Sequence, residues 1–351
     1  GAGEILRVTA YIIRRLLLMP LILIGVTLII FSMIWALGPD RLLASYIKSP
    51  EALKTPDAAE RLIKKYGLDE PMPVQYLKWL GNILQGDFGY SMVGKKGVLP
   101  AMLERFPYTL ELTIYAIIPV ILVAIWLGVV SAVHQNKFID QFIRVFALVG
   151  WSLPDFVFGL LLLLVFYSLL GWFPPGMVNT QFDLIMRSAE WNKITSMPTI
   201  DALLNGRLDI FVDALRHLIL PVMTLAYLWW AYLLRITRSS MLEVLRKDYI
   251  RTARAKGVPE NIVIQKHAKK NAMIPVLTVA GGSVIGLLGG TVFVETIFSR
   301  VGMGRFLADA ATLLDYWSII GGALFFSFIM VVGNLVVDVS YALVDPRIRL
   351  E

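Results

Sequence analysis

The chain has 351 residues, 57% of them hydrophobic, a mean hydropathy of +0.68, a net charge of +7 and no cysteine. Soluble domains are about 45–50% apolar. Here the excess is gathered in blocks of roughly 20 residues or more with few charges, the length that crosses about 30 Å of hydrocarbon, which excludes a soluble globular protein, while the absent thiols exclude disulfides, thiolate metal sites and cysteine nucleophiles.

The opening residues 1–4, GAGE, carry no initiator methionine and are consistent with an expression remnant. Residues 1–10 read as a short tail. The first apolar block, residues 11–37, is entered through Arg14 and Arg15. It is too long for a signal peptide and no small-residue cleavage site follows it, so it reads as a retained span.

Residues 38–108 are long enough to form a small helical extracytoplasmic subdomain. TPDAAERLIKKYGLDEP predicts an amphipathic helix, capped by Thr55 or Asp57 and ended by Gly67. MPVQYLKWLGNILQGDFG predicts a second helix on or beside the membrane. GYSMVGKK (89–96) fits a phosphate-loop pattern by letter only. The Ser or Thr that should follow the lysine is Lys96, and no apolar strand precedes it.

Spans two and three are expected over residues 109–134 and 142–172. The third contains WSLPDFVFG. Pro154 removes a helix hydrogen bond and predicts a kink. Asp155 is an acid in an apolar run, either water-lined within the helix or a cap at a late helix start. Residues 173–217 form an insert, followed by span four (218–241). A basic loop covers 242–273, then come span five (274–298), span six (317–343) and a tail (344–351). Gly282, Gly286 and Gly290 recur every four residues in span five and predict one closely packed helix face. Trp151, Asp155, Trp229 and Glu295 are the candidate translocation-path residues. The aromatic ones also read as interfacial anchors.

Basic residues set the expected orientation. Between Arg235 and Lys270 there are ten, against three acids; residues 38–108 have ten against eight, and 173–217 four against five. The excess of Lys and Arg near span ends marks the cytoplasmic side. Both termini and the 242–273 loop are therefore expected in the cytoplasm. The three histidines, His134, His217 and His267, form no metal-binding motif, and no G-x-S-x-G turn is present.

The loop itself carries the strongest signal. SSMLEVLRKDYIRTARAKG carries strong helix formers without a break through Lys256, Gly257 supplies a left-handed stop, and PENIVIQKHAKKN predicts a second helix begun at Pro259 and ended at Asn271. Tyr249, Ala253 and Lys256 share a face of the first arm, with Ile250 and Arg254 alongside. Asp248 opens it. Read alone, this is either a docking elbow or a polybasic loop on anionic lipid.

DYIRTARAKGV…HAKKNAMIPV resembles the coupling loop, often called the EAA loop, of permease subunits in ABC importers. YIIRRLLLMPLILIGVTLIIF, YGLDEPMPVQYLKWLGNILQGDFGYS, RHLILPVMTLAY, RITRSSMLEVLRKDYIRTARAKG, GGTVFVETIFSRVGMGR and the tail DPRIR resemble, in order, the B-type permease of dipeptide/oligopeptide importers. The letters that name the loop fall on Arg251, Thr252 and Ala253, so its glutamate is absent, and the insert at 173–217 is longer than is typical.

The resemblance implies an all-α polytopic membrane protein with the six-helix type I importer permease fold. It implies a bacterial or archaeal plasma membrane location. It also implies a non-catalytic subunit with no cofactor of its own, since ATP and magnesium bind to partner ATPases. The implied partners are two cytoplasmic ATPase subunits, a homologous C-type permease and an extracytoplasmic solute-binding protein that delivers short peptides. The ATPase-coupling residues are then Asp248, Tyr249, Ile250, Ala253, Arg254, Lys256 and Gly257. Oligosaccharides are the alternative cargo. An ion-gradient transporter, which would use acids such as Asp155, Glu295 and Asp338, lacks the expected internal repeat. A non-transporting scaffold would not need the elbow.

The charge asymmetry gives a direct test of topology. Because the chain has no native cysteine, Lys95→Cys is a unique label site, expected to react with an impermeant maleimide from outside the cell. Labelling from the cytoplasmic side alone would reverse the orientation.

Overall fold

The computed structural model describes residues 2–44, 46, 57–289 and 291–344. Thr55, Gly290 and the tail arginines lie outside them. The described chain is almost wholly helical, with one two-residue hairpin. Five helices are long and apolar enough to cross a membrane, and a sixth span results if one bent pair is counted as a unit. The chain divides into two compact units, residues 1–107 with 301–339, and residues 108–300 with 340–348.

The first unit contains α1 (Ala2–Trp35), α2 (Pro39–Ala44), α3 (Ala58–Tyr66) and α4 (Met72–Leu84). Beyond them come the hairpin β1 (Tyr90–Ser91) and β2 (Lys96–Gly97), and later α15 (Met303–Thr312). Gly67 ends α3 at φ +65°, with Leu68 N–H donating to Ile63 O at 2.9 Å. The left-handed residue lets the chain fold back over the last turn. Asp57 stands at the start of α3 without a side-chain cap bond. Phe31, Tyr76, Trp79, Met102, Phe306 and Trp317 are among the buried side chains that pack this unit.

The phosphate-loop look-alike is the hairpin. Its Met92 and Val93 N–H groups donate to Asp315 Oδ2 at 2.8 and 3.2 Å, as do the hydroxyls of Ser91 (3.0 Å) and Ser318 (2.7 Å). A buried carboxylate thus stands where a phosphate would have to sit.

Two long helices pass between the units in sequence: α5 (Val98–Val133) and α16 (Tyr316–Val344). Helix α5 begins well before the expected residue 109. The second unit continues with α6 (Phe138–Ser152) and α7 (Asp155–Leu162), the latter prolonged by a π-helical segment to Leu169. The expected third span is therefore two helices that meet at 105°. Leu153 and Pro154 form the break, since proline cannot donate to the turn before it and restricts its predecessor to extended backbone.

Short helices α8 (Thr180–Met186) and α9 (Pro198–Leu204) occupy the insert. Helix α10 (Leu208–Leu245) starts ten residues before the expected span four. It is followed by α11 (Asp248–Ala255) and α12 (Glu260–Ile262), then a π-helical stretch Val263–Ala268 and α13 (Lys269–Gly289). Helix α14 (Val292–Ile297) closes the unit. Span five is thus shorter than expected at its far end, because α14 is a separate helix. Leu112, Leu220, Leu233, Trp230, Val276 and Phe298 are buried in the main core here.

Two arginine–carboxylate sites hold this core. Arg238 of α10 clamps Asp140 of α6 through Nε–Oδ1 and a second nitrogen on Oδ2, both at 2.8 Å. Ser131 donates to the same carboxylate, and Asn136 N–H donates to Oδ2 at 2.9 Å. Arg300 donates to Glu111 Oε2 at 3.0 Å, and Thr199 donates to Oε1 from its N–H (2.9 Å) and its hydroxyl (2.7 Å). Buried charge of this kind persists only when paired and hydrogen-bonded.

The glycine face of span five is only partly what the spacing suggests. A Cβ on Gly286 would stand 2.2 Å from the Trp229 ring, whereas one on Gly282 would meet nothing within 4 Å. Gly286 therefore permits close approach of α10 to α13, and Gly282 is corrected to an open position. Gly286→Val should destabilise the detergent-solubilised chain by about 1–3 kcal/mol through overpacking, and Trp229→Ala in the same chain should relieve it. Gly282→Val should leave the thermal midpoint nearly unchanged. Equal loss from both valines would contradict the assignment.

Candidate functional site: the helical elbow

The basic elbow is built on a short helix seated on the second unit's own core. Helix α10 ends at Leu245; Arg246 and Lys247 leave it, and α11 restarts at Asp248. What holds α11 is Ile250. Its side chain is fully buried among Val129, Ala132, Met241, Val244, Val263 and Ala268. The sequence reading placed Ile250 on the docking surface; it is instead the anchor beneath that surface. Residue 250 is turned about 100° round the helix from Tyr249, and Tyr249 and Lys256 are both exposed.

Gly257 ends the arm as expected. It has φ +75°, its N–H donates to Arg254 O at 3.0 Å, and Val258 N–H reaches Ala253 O at 3.2 Å. This is the paired-bond stop that a left-handed glycine permits, and Ala253 and Val258 pack together beneath it against the Ile250 cluster. Arg254 then clamps the far side of the turn. Its Nε and a second guanidinium nitrogen contact Glu260 Oε2 and Oε1 at 3.1 and 2.6 Å. Asn271 Nδ2 donates to the Tyr249 hydroxyl at 3.2 Å. Asp248 and Lys256 are exposed, with Asp248 3.4 Å from Arg251.

The second arm differs from the expectation in one respect that matters mechanically. It does not stop at Asn271. One helical run, Glu260–Gly289, carries the elbow straight into span five, through Pro275. Ser240 Oγ donates to Ala272 O at 2.8 Å and ties the run to α10. Beyond the turn at Gly257, the second arm and span five are thus one helical run.

The four candidate path residues do not converge. Trp151 is exposed and lines a groove of about 1030 Å³ along α6 and the end of α10. Asp155 is the first residue of α7, half-buried, and accepts the Phe156 N–H at 2.9 Å, as a helix-start residue does. Trp229 lies half-buried over Gly286. Glu295 is buried and accepts a hydrogen bond from Thr109 Oγ1 at 2.6 Å. Its carboxylate serves the core, so its assignment to the path is corrected. Sequence reasoning gives Ile250 the wrong role and leaves Asp140 and Glu111 unremarked. The last two carry the signal that drew attention to Asp155, an acid close to or inside an apolar run. Among the described residues no cluster of three potential metal ligands occurs.

Comparison with known proteins fits this architecture. Residues 124–350 match the family described as binding-protein-dependent transport system inner membrane component, and residues 8–113 match its N-terminal counterpart. The chain is 41% identical over 342 residues to the oligopeptide transport system permease protein AppB of Bacillus subtilis (strain 168), covering 97% of this chain and 99% of that protein. It is 41% identical over 345 residues to the dipeptide transport system permease protein DppB of Alkalihalophilus pseudofirmus, with coverage of 97% and 99%. Against DppB of Escherichia coli (strain K12) it is 38% identical over 339 residues, with coverage of 97% and 98%. The chain belongs to the family of binding-protein-dependent transport system inner membrane components, as a near full-length relative of dipeptide and oligopeptide permease subunits.

Proposed function

We propose that this chain is the B-type membrane subunit of an ATP-driven importer of short peptides, and that α11 is the element that a partner ATPase moves. The observation that carries the reading is the seating of α11: anchored inward by Ile250, stopped by Gly257 and presenting Tyr249 and Lys256 outward. The relatives described above are named for dipeptides and oligopeptides, which supports peptides as cargo.

In this reading the elbow and both termini face the cytoplasm of a bacterium or archaeon. Two ATPase subunits bind ATP and magnesium, and a solute-binding protein delivers peptide on the opposite side. ATP-driven closure displaces α11, and the helical run Glu260–Gly289 transmits the displacement. The ligand acts only through its different affinity for the two states, as any such switch requires. The chain itself performs no chemistry.

The ion-gradient reading loses its motive in the geometry. Asp338 pairs with Arg15 at 3.0 Å, Glu295 is hydrogen-bonded in the core, and Asp155 opens a helix. The three acids are accounted for by structural roles.

Gly257→Val should uncouple the machine. No atom lies within 4 Å of the added Cβ, so the effect comes from the backbone. A β-branched residue in the left-handed region costs about 1 kcal/mol or more and shifts the turn. In proteoliposomes containing the assembled transporter, ATP hydrolysis should persist while peptide uptake falls, and Gly257→Asn should retain uptake because asparagine tolerates that conformation. Full uptake by the valine variant would count against the elbow as the coupling element.

The pairing with a C-type permease is tested by the mass of the intact complex. One copy of this chain beside one related, non-identical permease and two ATPases is expected. Two copies of this chain with no second permease would overturn the pairing and leave the docking of α11 open to its own test.

A further inference from the structure

The groove beside the elbow has a chemistry of its own. It lies between α6 and the last third of α10, and five basic side chains and one carboxylate line it. Arg238 is already clamped on Asp140. Arg144, itself 3.7 Å from Asp140, stands at the opening with Arg235, Arg246 and Lys247, all four exposed, and Glu243 pairs Lys247 at 3.0 Å. Among the described residues Arg235 and Arg246 stand in no ion pair. One wall is aromatic: Trp151 and Tyr232 stack with ring centroids 5.9 Å apart, and the Arg235 guanidinium lies 5.5 Å from the first ring and 5.6 Å from the second.

The depth of the groove follows from α10. Between Arg216 and Arg235 the helix carries no Asp, Glu, Lys or Arg. That stretch is about 27 Å long at 1.5 Å per residue, close to the thickness of the hydrocarbon layer. Tyr232 therefore stands at the edge of the hydrocarbon, and Arg235, Arg246 and Lys247 lie toward the headgroups. Helix α6 turns away from α7 by 105° at the same level, with Phe138, Phe142, Val145 and Leu148 exposed. A helix that leaves the span direction with apolar side chains outward fits the membrane interface, where aromatic rings and basic groups also concentrate.

We propose that this groove is a binding site for the headgroup of an anionic phospholipid. The phosphate is held by Arg235 and Arg246, with Arg144 and Lys247 at the rim, and the first acyl carbons lie along Trp151 and Tyr232. Charge complementarity selects an anion, and the continuity of the aromatic wall with the apolar face of α6 selects one that carries acyl chains. A filled site would brace the end of α10 against α6, one loop away from α11.

The test uses the purified intact transporter in detergent, read by native mass spectrometry after addition of phosphatidylglycerol or phosphatidylcholine with matched acyl chains. The wild-type complex is expected to retain phosphatidylglycerol about tenfold over phosphatidylcholine, since each basic group near the lipid surface adds attraction. Arg144→Gln/Arg235→Gln/Arg246→Gln should reduce the preference to near parity, while Arg187→Gln/Lys193→Gln, outside the groove, should keep it. Equal retention of the two lipids by the wild type would overturn the proposal, as would a preference that survives the triple variant. Displacement of the lipid by inorganic phosphate alone would show a free-anion site instead. Displacement by triglutamate but not by phosphate would assign the groove to the peptide path. The wild-type comparisons stand even where the triple variant fails to assemble.

Discussion

The burial of Ile250 is the contact on which the mechanical role proposed for the elbow depends. A helix of eight residues does not hold its shape alone in water, because nucleation costs more than two turns return. Full burial of one isoleucine contributes about 1.5–3 kcal/mol, enough to fix α11 against α5, α10 and the start of the following helix. The left-handed Gly257 and the Arg254–Glu260 clamp then set the angle of the turn. With α11 seated on the core and the next arm continuous to Gly289, the elbow has the build that the proposed lever requires. A loose polybasic loop could bind a partner but could not move a span.

The same unit is stiffened by its buried charge pairs. Asp140 with Arg238 joins α6 to α10, and Glu111 with Arg300 joins α5 to the segment that follows α14, each across a long sequence separation. Removing one partner leaves an uncompensated buried charge, a loss of about 3–5 kcal/mol, whereas the intact pair keeps the helices in register. In the proposed mechanism, force applied at the elbow would meet a stiff bundle. The bend at Pro154 and the close packing of Trp229 on Gly286 are adjustments within that frame.

Much of this was legible in the sequence because a bilayer restricts the choices. Hydrocarbon thickness sets span length, and the stop at Gly257 follows from the residue itself. What was hidden depends on tertiary contacts. Arg246 and Lys247 are good helix formers, so nothing local announces the break before Asp248; the inward pull on Ile250 makes it. Pro154 signals a kink but not a turn of 105°. Asn271 was read as a helix end, yet the helix runs on because Ala272 and Val276 are buried on the same face. The partners of Asp140 and Glu111 lie 98 and 189 positions away, beyond the reach of any local pattern. The open side of Gly282 and the inward carboxylate of Glu295 are hidden for the same reason.

Contact between α11 and an ATPase subunit is the central claim, and site-directed crosslinking measures it most directly. Lys256→Cys, the sole thiol in the chain, would be treated with a short bifunctional reagent in membranes containing the assembled transporter, with Lys95→Cys as the comparison. The account predicts a crosslink from position 256 to the ATPase, sensitive to ATP, and none from position 95. A crosslink from position 95, or none from position 256 in an assembly that hydrolyses ATP, would contradict it.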